Sequence, residues 1–140
     1  MVLDNLQDPS NLGAIIRSAM AFDFKSIIML NGVYPYSAKV IRSSMGYVFD
    51  INIISYNNAE LIDFLQKNKY NLVSADMSGI DLKEFKPKFP LAVVIGNEGN
   101  GVSSELKQLS TQIVKIPMNN GVESLNAGVS ASIIMYKLGE

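Results

Sequence analysis

The chain has 140 residues, a net charge of −1 and a pI near 5.4, and 48% of its residues are hydrophobic against 18% charged. This length suits a single domain with a substantial core, and the composition excludes a disordered chain. The sequence contains no Cys and no His, which excludes disulfides, thiolate nucleophiles and hydrolases built on a Ser-His pair. It has no apolar run of membrane-spanning length and no secretion signal, so we expect a cytoplasmic protein that has no membrane partner.

Along the chain, short β-branched runs alternate with segments of helical periodicity. In chain order, the predicted strands are Met1–Asn5, Ser26–Asn31, Ile51–Ser55, Asn71–Ala75, Leu91–Ile95 and Gln112–Ile116. The predicted helices cover Leu12 to Met20, Ala59–Asn68, Ser103–Leu109 and Ser124–Leu138. This alternation predicts a three-layer α/β fold with a mainly parallel sheet, in which ligands bind at the loops that follow the strands.

The first loop of interest follows the first strand and reads D-N-L-Q-D-P-S-N-L-G-A-I-I-R from Asp4 to Arg17. Its Asp and Ser residues can cap the next helix, and Pro9 suits the first helical position. Arg17 lies six residues after Asn11 and interrupts an otherwise hydrophobic helix. Taken alone, the pair is best explained by a cap at Asn11 and an arginine that extends to the surface.

The second loop reads V-I-G-N-E-G-N-G-V from Val94 to Val102, between an apolar strand and a helix. Its G-x-x-G-x-G order differs from the dinucleotide and P-loop signatures. Glycines allow a backbone to approach a ligand closely. A tight turn would explain them as well, but it would not require a glutamate, Glu98, among three glycines.

The third loop begins at Ile116 and reads I-P-M-N-N-G-V-E-S-L-N. It leads into a helix rich in small residues, which we predict to start at Ser124. Ordinary capping by Ser124 and tight packing of a terminal helix would explain this segment equally well.

In order and spacing, the three loops together resemble the motif set of the SpoU/TrmH-type RNA 2′-O-methyltransferases, part of the knotted SPOUT class. The matching strings are N-L-G-A-I-I-R, I-G-N-E-G-N-G and I-P-M-x-x-x-V-E-S-L-N, and V-I-R-S-S-M-G at residues 40–46 also resembles that family. The resemblance extends from about Met1 to Tyr136. It implies an α/β domain with a C-terminal trefoil knot, with residues 1–140 forming the catalytic domain without the N-terminal RNA-binding domain that members often carry.

The resemblance also implies a reaction, a cofactor and partners. The expected methyl donor is S-adenosylmethionine, without a metal, and the acceptor is a ribose 2′-OH of RNA, with large-subunit rRNA favoured slightly over tRNA. A homodimer assembles the ribose site from both subunits. The implied catalytic residues are Arg17, Asn11, Glu98, Ser124 and Asn126, and the implied donor-binding residues are Ala75, Gly96, Asn97, Gly99, Ile116, Met118, Ser124 and Leu125.

In the family, the arginine that corresponds to Arg17 activates the 2′-hydroxyl. Because a guanidinium seldom loses its proton, we expect Arg17 to stabilise the developing alkoxide or to position a phosphate rather than to act as a base. We expect Glu98 to pair with Arg17, and Ser124 and Asn126 to form hydrogen bonds across the motif loops.

Two segments could supply the basic surface that RNA requires, although a solvated loop explains each at least as well. One holds Lys39 and Arg42 near Tyr34 and Tyr36, and the other holds Lys83, Lys86 and Lys88 with Phe85 and Phe89. Other functions remain open: a different SPOUT methylation of tRNA, RNA or donor binding without turnover, and a flavodoxin-like nucleotide-binding protein.

Overall fold

The computed structural model describes residues 1–139. Its strands are β1 (Val2–Asp4), β2 (Ser26–Leu30), β3 (Asn52–Ser55), β4 (Asn71–Asp81), β5 (Leu91–Ile95) and β6 (Gln112–Lys115). Its α-helices are α1 (Pro9–Ala21), α2 (Ala38–Ser43), α3 (Asn58–Lys67), α4 (Ser104–Leu109) and α5 (Ala127–Leu138), and a 3-10 turn at Tyr47–Phe49 lies between α2 and β3.

The six strands form one parallel sheet in the order β3-β2-β1-β5-β4-β6. From β1 the chain continues to β2 on one side, whereas from β5 it crosses β4 and continues to β6 on the other side. The two strands are neighbours, with Leu3 opposite Ile95. Because the chain leaves β1 and β5 in opposite directions, a crevice opens beyond their carboxyl ends, which is where open α/β sheets bind ligands.

Helices cover both faces of the sheet, because the side chains of each strand alternate between two hydrophobic clusters. Leu3, Met29 and Val93 pack with α1, α2 and α5, while Val2, Ile28 and Val94 pack with α3 and α4. The three-layer parallel architecture is therefore confirmed. The trefoil knot that the resemblance implies stays a prediction.

Three local features differ from the predicted elements. The prediction contained neither α2 nor the 3-10 turn. Strand β4 continues to Asp81, and its pairing with β6 shifts register so that Ala75 and Ile80 both pair with Val114. Helix α5 starts at Ala127 rather than at Ser124, because the side chain of Asn126 caps it by accepting a hydrogen bond from the Val129 N–H at 3.1 Å. Among residues 1–139, no helix combines the length and apolarity needed to cross a membrane.

Candidate active site

The glycine-rich loop that follows β5 folds back on itself at the centre of the crevice. A β-carbon added at Gly96 would lie 2.1 Å from the carbonyl carbon of Gly101, so only glycine fits there. Asn97 and Gly101 form two backbone hydrogen bonds, and the Asn97 side chain accepts from the N–H groups of Gly99 and Asn100. The loop is thus held closed by its own backbone and by one asparagine.

Asn97 and Glu98 fasten this loop to the segment that follows β1. Asn97 Nδ2 donates to the carbonyl oxygen of Asn5 at 2.9 Å. The carboxylate of Glu98 accepts from the N–H groups of Gln7 and Asp8 at 3.1 and 2.9 Å, and from Asn11 Nδ2 at 3.2 Å. Burial tends to raise the pKa of Glu98, but these hydrogen bonds outweigh it and lower the pKa below its ordinary value. Glu98 is therefore an ionised bridge between two motif loops.

Asn11 is the buried end of that bridge. It is only 5% exposed, on the first turn of α1, whose N-cap is Asp8 and whose first residue is Pro9. Beside it, a β-carbon added at Gly128 would lie 3.4 Å from Asn11 Oδ1 and 3.2 Å from Asn126 Oδ1. Gly128 therefore allows the start of α5 to pack closely against Asn11, and the first and third loops meet at this point.

A cavity of about 260 Å³ opens beside the glycine-rich loop, at the carboxyl edge of the sheet. This volume is near the lower end for small-ligand sites, about 300 Å³. Its walls combine backbone of the glycine-rich loop with apolar side chains and a few charged ones. The lining residues fall in four segments, residues 75–77, 95–101, 114–118 and 124–130.

One wall of the cavity comes from the register shift in β4. Asp76 Oδ1 accepts from the N–H and the hydroxyl of Ser78 at 3.0 and 2.7 Å, and its other oxygen pairs with Lys107 of α4. Burial would raise the pKa of Asp76, but the hydrogen bonds from Lys107 and Ser78 outweigh it, so the pKa lies below its ordinary value. The carboxylate is thus held in a fixed orientation at the rim. Within residues 1–139, no group of His, Cys, Asp or Glu side chains is arranged to hold a metal ion.

The sequence profile of the SpoU rRNA Methylase family matches residues 1–136. The chain belongs to the SpoU rRNA methylase family. A Staphylococcus haemolyticus protein that its name places in the TrmH family of tRNA/rRNA methyltransferases is 35% identical over 99% of this SpoU-family chain.

Two solved structures show the same fold as this SpoU-family chain. The SpoU methyltransferase AviRb of Streptomyces viridochromogenes, crystallised with AdoMet, superposes with a TM-score of 0.93 at 31% identity over 99% of the chain. An RNA 2′-O ribose methyltransferase superposes with a TM-score of 0.89 at 31% identity over 97% of the chain. The chain spans 57% of the Staphylococcus protein's length, and 58% and 53% of the two crystallised chains.

The structure brings all eight expected donor-binding residues to one cavity. They come from four separate segments of the SpoU-family chain, and each lines the cavity described above: Ala75, Gly96, Asn97, Gly99, Ile116, Met118, Ser124 and Leu125. Two of the five expected catalytic residues, Glu98 and Ser124, also line it. Asn11 does not line the cavity, but it donates a hydrogen bond to Glu98, which does. Asn126 is the N-cap of α5, between the lining residues Leu125 and Ala127.

Three expected contacts are wrong. Among residues 1–139, Arg17 takes part in none of the ion pairs, and Glu98 contacts Asn11 instead. Arg17 is exposed and lies outside the cavity lining. Asn126 caps its own helix rather than bonding across the loops, and Asn11 contacts Glu98 rather than capping α1, whose cap is Asp8.

Asp76, Met77 and Ser130 are among the cavity residues that sequence reasoning did not name. The D-M-S-G string at residues 76–79 carries a turn signal, which could have indicated that the chain leaves the strand there. Ser130 lies one turn after Asn126 in α5 and could have been found from helical spacing.

Proposed function

We propose that this chain transfers a methyl group from S-adenosylmethionine to a ribose 2′-hydroxyl of RNA, with rRNA favoured over tRNA. The observation that carries the proposal is the convergence of eight residues from four chain segments on one cavity at the switch point of the sheet. The AdoMet-bound structure of AviRb and the fold shared with an RNA 2′-O ribose methyltransferase support it.

The chemistry of the cavity fits S-adenosylmethionine. Ile116, Met118 and Leu125 supply apolar walls for a flat adenine, and the glycine-rich loop supplies backbone polar groups without intervening side chains. The carboxylate of Asp76 at the rim is ionised but already paired with Lys107, so the fit to S-adenosylmethionine rests on the apolar walls and the glycine-rich loop. When bound, the donor supplies a methyl group that is already a strong electrophile, so no metal is needed for its transfer.

The protein's main task is to align the 2′-hydroxyl and to stabilise the charge that develops on its oxygen. Arg17 is the residue that we propose for this second role. It keeps its proton throughout, and the hydroxyl proton passes to solvent as the oxygen attacks. Glu98 is poorly suited to act as the base: burial tends to raise its pKa, but the hydrogen bonds from Gln7, Asp8 and Asn11 outweigh this and hold the pKa below its ordinary value.

Arg17 would reach the acceptor of a partner subunit in a homodimer. It shares the exposed side of α1 with Met20, which is 37% exposed. Helix α5 packs beside α1 and exposes Val129, Ile133 and Tyr136, spaced i, i+4 and i+7, at 48%, 38% and 58%. A second copy of the chain that covered this apolar stripe would shield it from water and bring Arg17 to a neighbouring cavity.

The reaction is tested by incubating the chain with methyl-labelled S-adenosylmethionine and, separately, bulk rRNA and tRNA, and then digesting each RNA to nucleosides. We expect the label in 2′-O-methyl nucleosides of rRNA. Label in a methylated base would overturn the ribose assignment, and greater label in tRNA would overturn the preference for rRNA.

Calorimetry with S-adenosylmethionine and with FMN tests the donor independently of RNA. Binding of FMN in place of S-adenosylmethionine would overturn the donor assignment and favour a flavodoxin-like function. Tight binding of S-adenosylmethionine without transfer to any RNA would favour a donor-binding protein without turnover.

A further inference from the structure

The segment between β2 and β3 exposes an unusual concentration of aromatic rings. Tyr34, Tyr36 and Phe49 are 66%, 42% and 65% exposed, and Tyr47 is 43% exposed. Water-exposed rings of this size on one short segment carry a solvation cost and are typical of surfaces that bind a partner. We call Tyr34, Tyr36 and Phe49 the aromatic platform.

The rings of the aromatic platform are arranged in a row. Tyr34 and Tyr36 meet edge to face, with centroids 5.9 Å apart, and Tyr36 and Phe49 are stacked with centroids 6.1 Å apart and planes 21° from parallel. The stack therefore leaves ring surface open to solvent. A flat aromatic ligand that joins the row would gain stacking energy without displacing a core contact.

The aromatic platform rests on a rigid base. Buried Val40 and Val48 are 0% and 1% exposed and anchor the segment from below. Ser37 caps α2 by accepting a hydrogen bond from the Val40 N–H, and buried Ser44 donates to the carbonyl oxygen of Ile41. The rings are therefore presented by a fixed backbone, which reduces the entropy cost of binding.

Charge on this segment is positive, whereas the chain as a whole is weakly acidic. The segment between β2 and β3 includes Lys39 and Arg42, both exposed, against one acidic residue, Asp50, so it carries net positive charge although the net charge of the chain is −1. Exposed rings and cations on one segment suit a ligand with flat bases and a phosphate backbone, such as single-stranded RNA. A purely apolar partner would not require the cations.

Two hydrogen bonds tie the segment that carries the aromatic platform to the loop after β1, beside the candidate active site. The Val33 N–H donates to the carbonyl oxygen of Leu6 at 2.8 Å, and Ser43 Oγ donates to the carbonyl oxygen of Pro9 at 3.2 Å. Both acceptors belong to the segment whose N–H groups bind Glu98. An RNA strand whose nucleotide enters the site would therefore pass close to the platform.

The other basic segment, residues 83–90, is placed differently. The Asn71 side chain, at the start of β4, donates to the carbonyl oxygen of Lys88 at 2.9 Å. Lys88 thus lies at the amino edge of the parallel sheet, opposite the cavity. It provides matched control positions: exposed Lys88, and Phe89, which is 69% exposed.

We infer that the aromatic platform stacks bases of single-stranded RNA beside the modified nucleotide, while Lys39 and Arg42 bind its phosphates. This inference rests on the proposed function, because it concerns the same RNA substrate. It assigns to the catalytic domain itself part of the RNA recognition that the acidic composition of the chain would otherwise leave to another domain.

The test uses the full chain, a labelled six-nucleotide oligoadenylate RNA, and an abasic ribose-phosphate oligomer of the same length. We expect the wild-type chain to bind the RNA more tightly than the abasic oligomer. Replacing two rings, Tyr36→Leu with Phe49→Leu, should weaken RNA binding about tenfold and leave abasic binding unchanged, since leucine keeps apolar volume but cannot stack. Lys39→Glu should weaken both, because it acts on the phosphates.

Phe89→Leu and Lys88→Glu should leave binding of both oligomers within about twofold. Equal binding of RNA and abasic oligomer by the wild type, or no effect of the double substitution, would overturn the inference. A shift from dimer to monomer in the double variant would also overturn it and assign the rings to a protein interface. Donor affinity measured by calorimetry separates these results from a failure of the proposed function, because it does not depend on RNA.

Discussion

A single copy of the chain completes the cavity, but it does not complete a site around the exposed side of α1. The cavity closes within a single copy: four segments line it, and Asn97 and Glu98 fasten its central loop to the loop after β1. Arg17, by contrast, lies on the exposed side of α1, outside the cavity lining. Donor binding and methyl transfer should therefore respond to different substitutions, and the predictions below are designed to separate them.

The largest effect is expected at Arg17. Arg17→Ala should lower the rate of methyl transfer by about a thousandfold, since a charge that stabilises the transition state is lost, while donor affinity stays within about twofold. Single-turnover transfer and calorimetry measure the two quantities. Arg17→Lys tests geometry, because lysine keeps the charge but not the planar fork. An Arg17→Ala variant that retained most of its activity would remove Arg17 from the mechanism.

Breaking the proposed dimer should have the next largest effect. Ile133→Glu places a charge in the apolar stripe of α5 and should convert the protein to a monomer, with transfer at least tenfold slower and donor affinity unchanged. Sedimentation and transfer assays measure this. Leu109→Glu is the matched control, because Leu109 is similarly exposed (41% against 38%) but belongs to α4 on the other face of the sheet. A monomeric wild type would contradict the prediction.

A pair of glycines tests the cavity itself. Gly96→Ala should lower donor affinity at least tenfold, because its β-carbon would lie 2.1 Å from the Gly101 carbonyl carbon and force the loop open. Gly99→Ala belongs to the same loop and also lines the cavity, but its β-carbon would lie 3.5 Å from Asn97 Oδ1, an ordinary contact, so the loop should keep its shape and affinity should fall less than at Gly96. Calorimetry with S-adenosylmethionine measures both affinities. Equal losses of affinity at the two positions would show that the close approach of Gly96 to Gly101 does not shape the site.

The smallest effect is expected at Glu98, which fastens the glycine-rich loop to the segment after β1. Glu98→Gln should destabilise the fold by about 1 kcal/mol, since an exposed carboxylate loses charge-assisted hydrogen bonds but its contribution is screened by water. Because the pKa of Glu98 is lowered in the folded protein, this stabilisation is present near neutral pH and is lost as the pH falls through the lowered pKa.

Urea unfolding at several pH values measures this difference. The gap between wild type and Glu98→Gln should shrink below about pH 4. Glu123→Gln, in the exposed loop before α5, serves as the control and should match the wild type throughout. A gap that stayed constant with pH would show that ionisation of Glu98 does not stabilise the fold.

The place of the cavity was predictable from local signals, whereas its donor-binding residues came from the resemblance to the SpoU/TrmH family. Each motif loop follows an apolar strand, and parallel strands bring their carboxyl ends to one edge, so the glycines of residues 96–101 and the segment after Ile116 had to meet there. The three layers were also predictable, because apolar periodicity distinguishes the strands from the helices. Such local signals specify where a residue lies along its own strand or helix, but not which distant residue it contacts.

The remaining features depend on contacts between distant segments. Whether Glu98 reaches Asn11 or Arg17 is decided by the rotation of α1 about its axis, which local sequence does not specify. The Asp76 wall arises from the pairing of β4 with β6, and α2 has only six residues, too few for a clear helical period. The start of α5 was misplaced because Ser124 and Asn126 are both good caps and only packing selects between them.

The register shift in β4 has a consequence for how this site can evolve. Ala75 and Ile80 pair with the same residue, Val114, so the sheet is continuous on either side of residues 76–79. An insertion or deletion there would reshape one wall of the cavity without moving a strand. Residues 76–79 are thus a place where a change in the chain can alter the shape of the cavity while the strand pairing is kept.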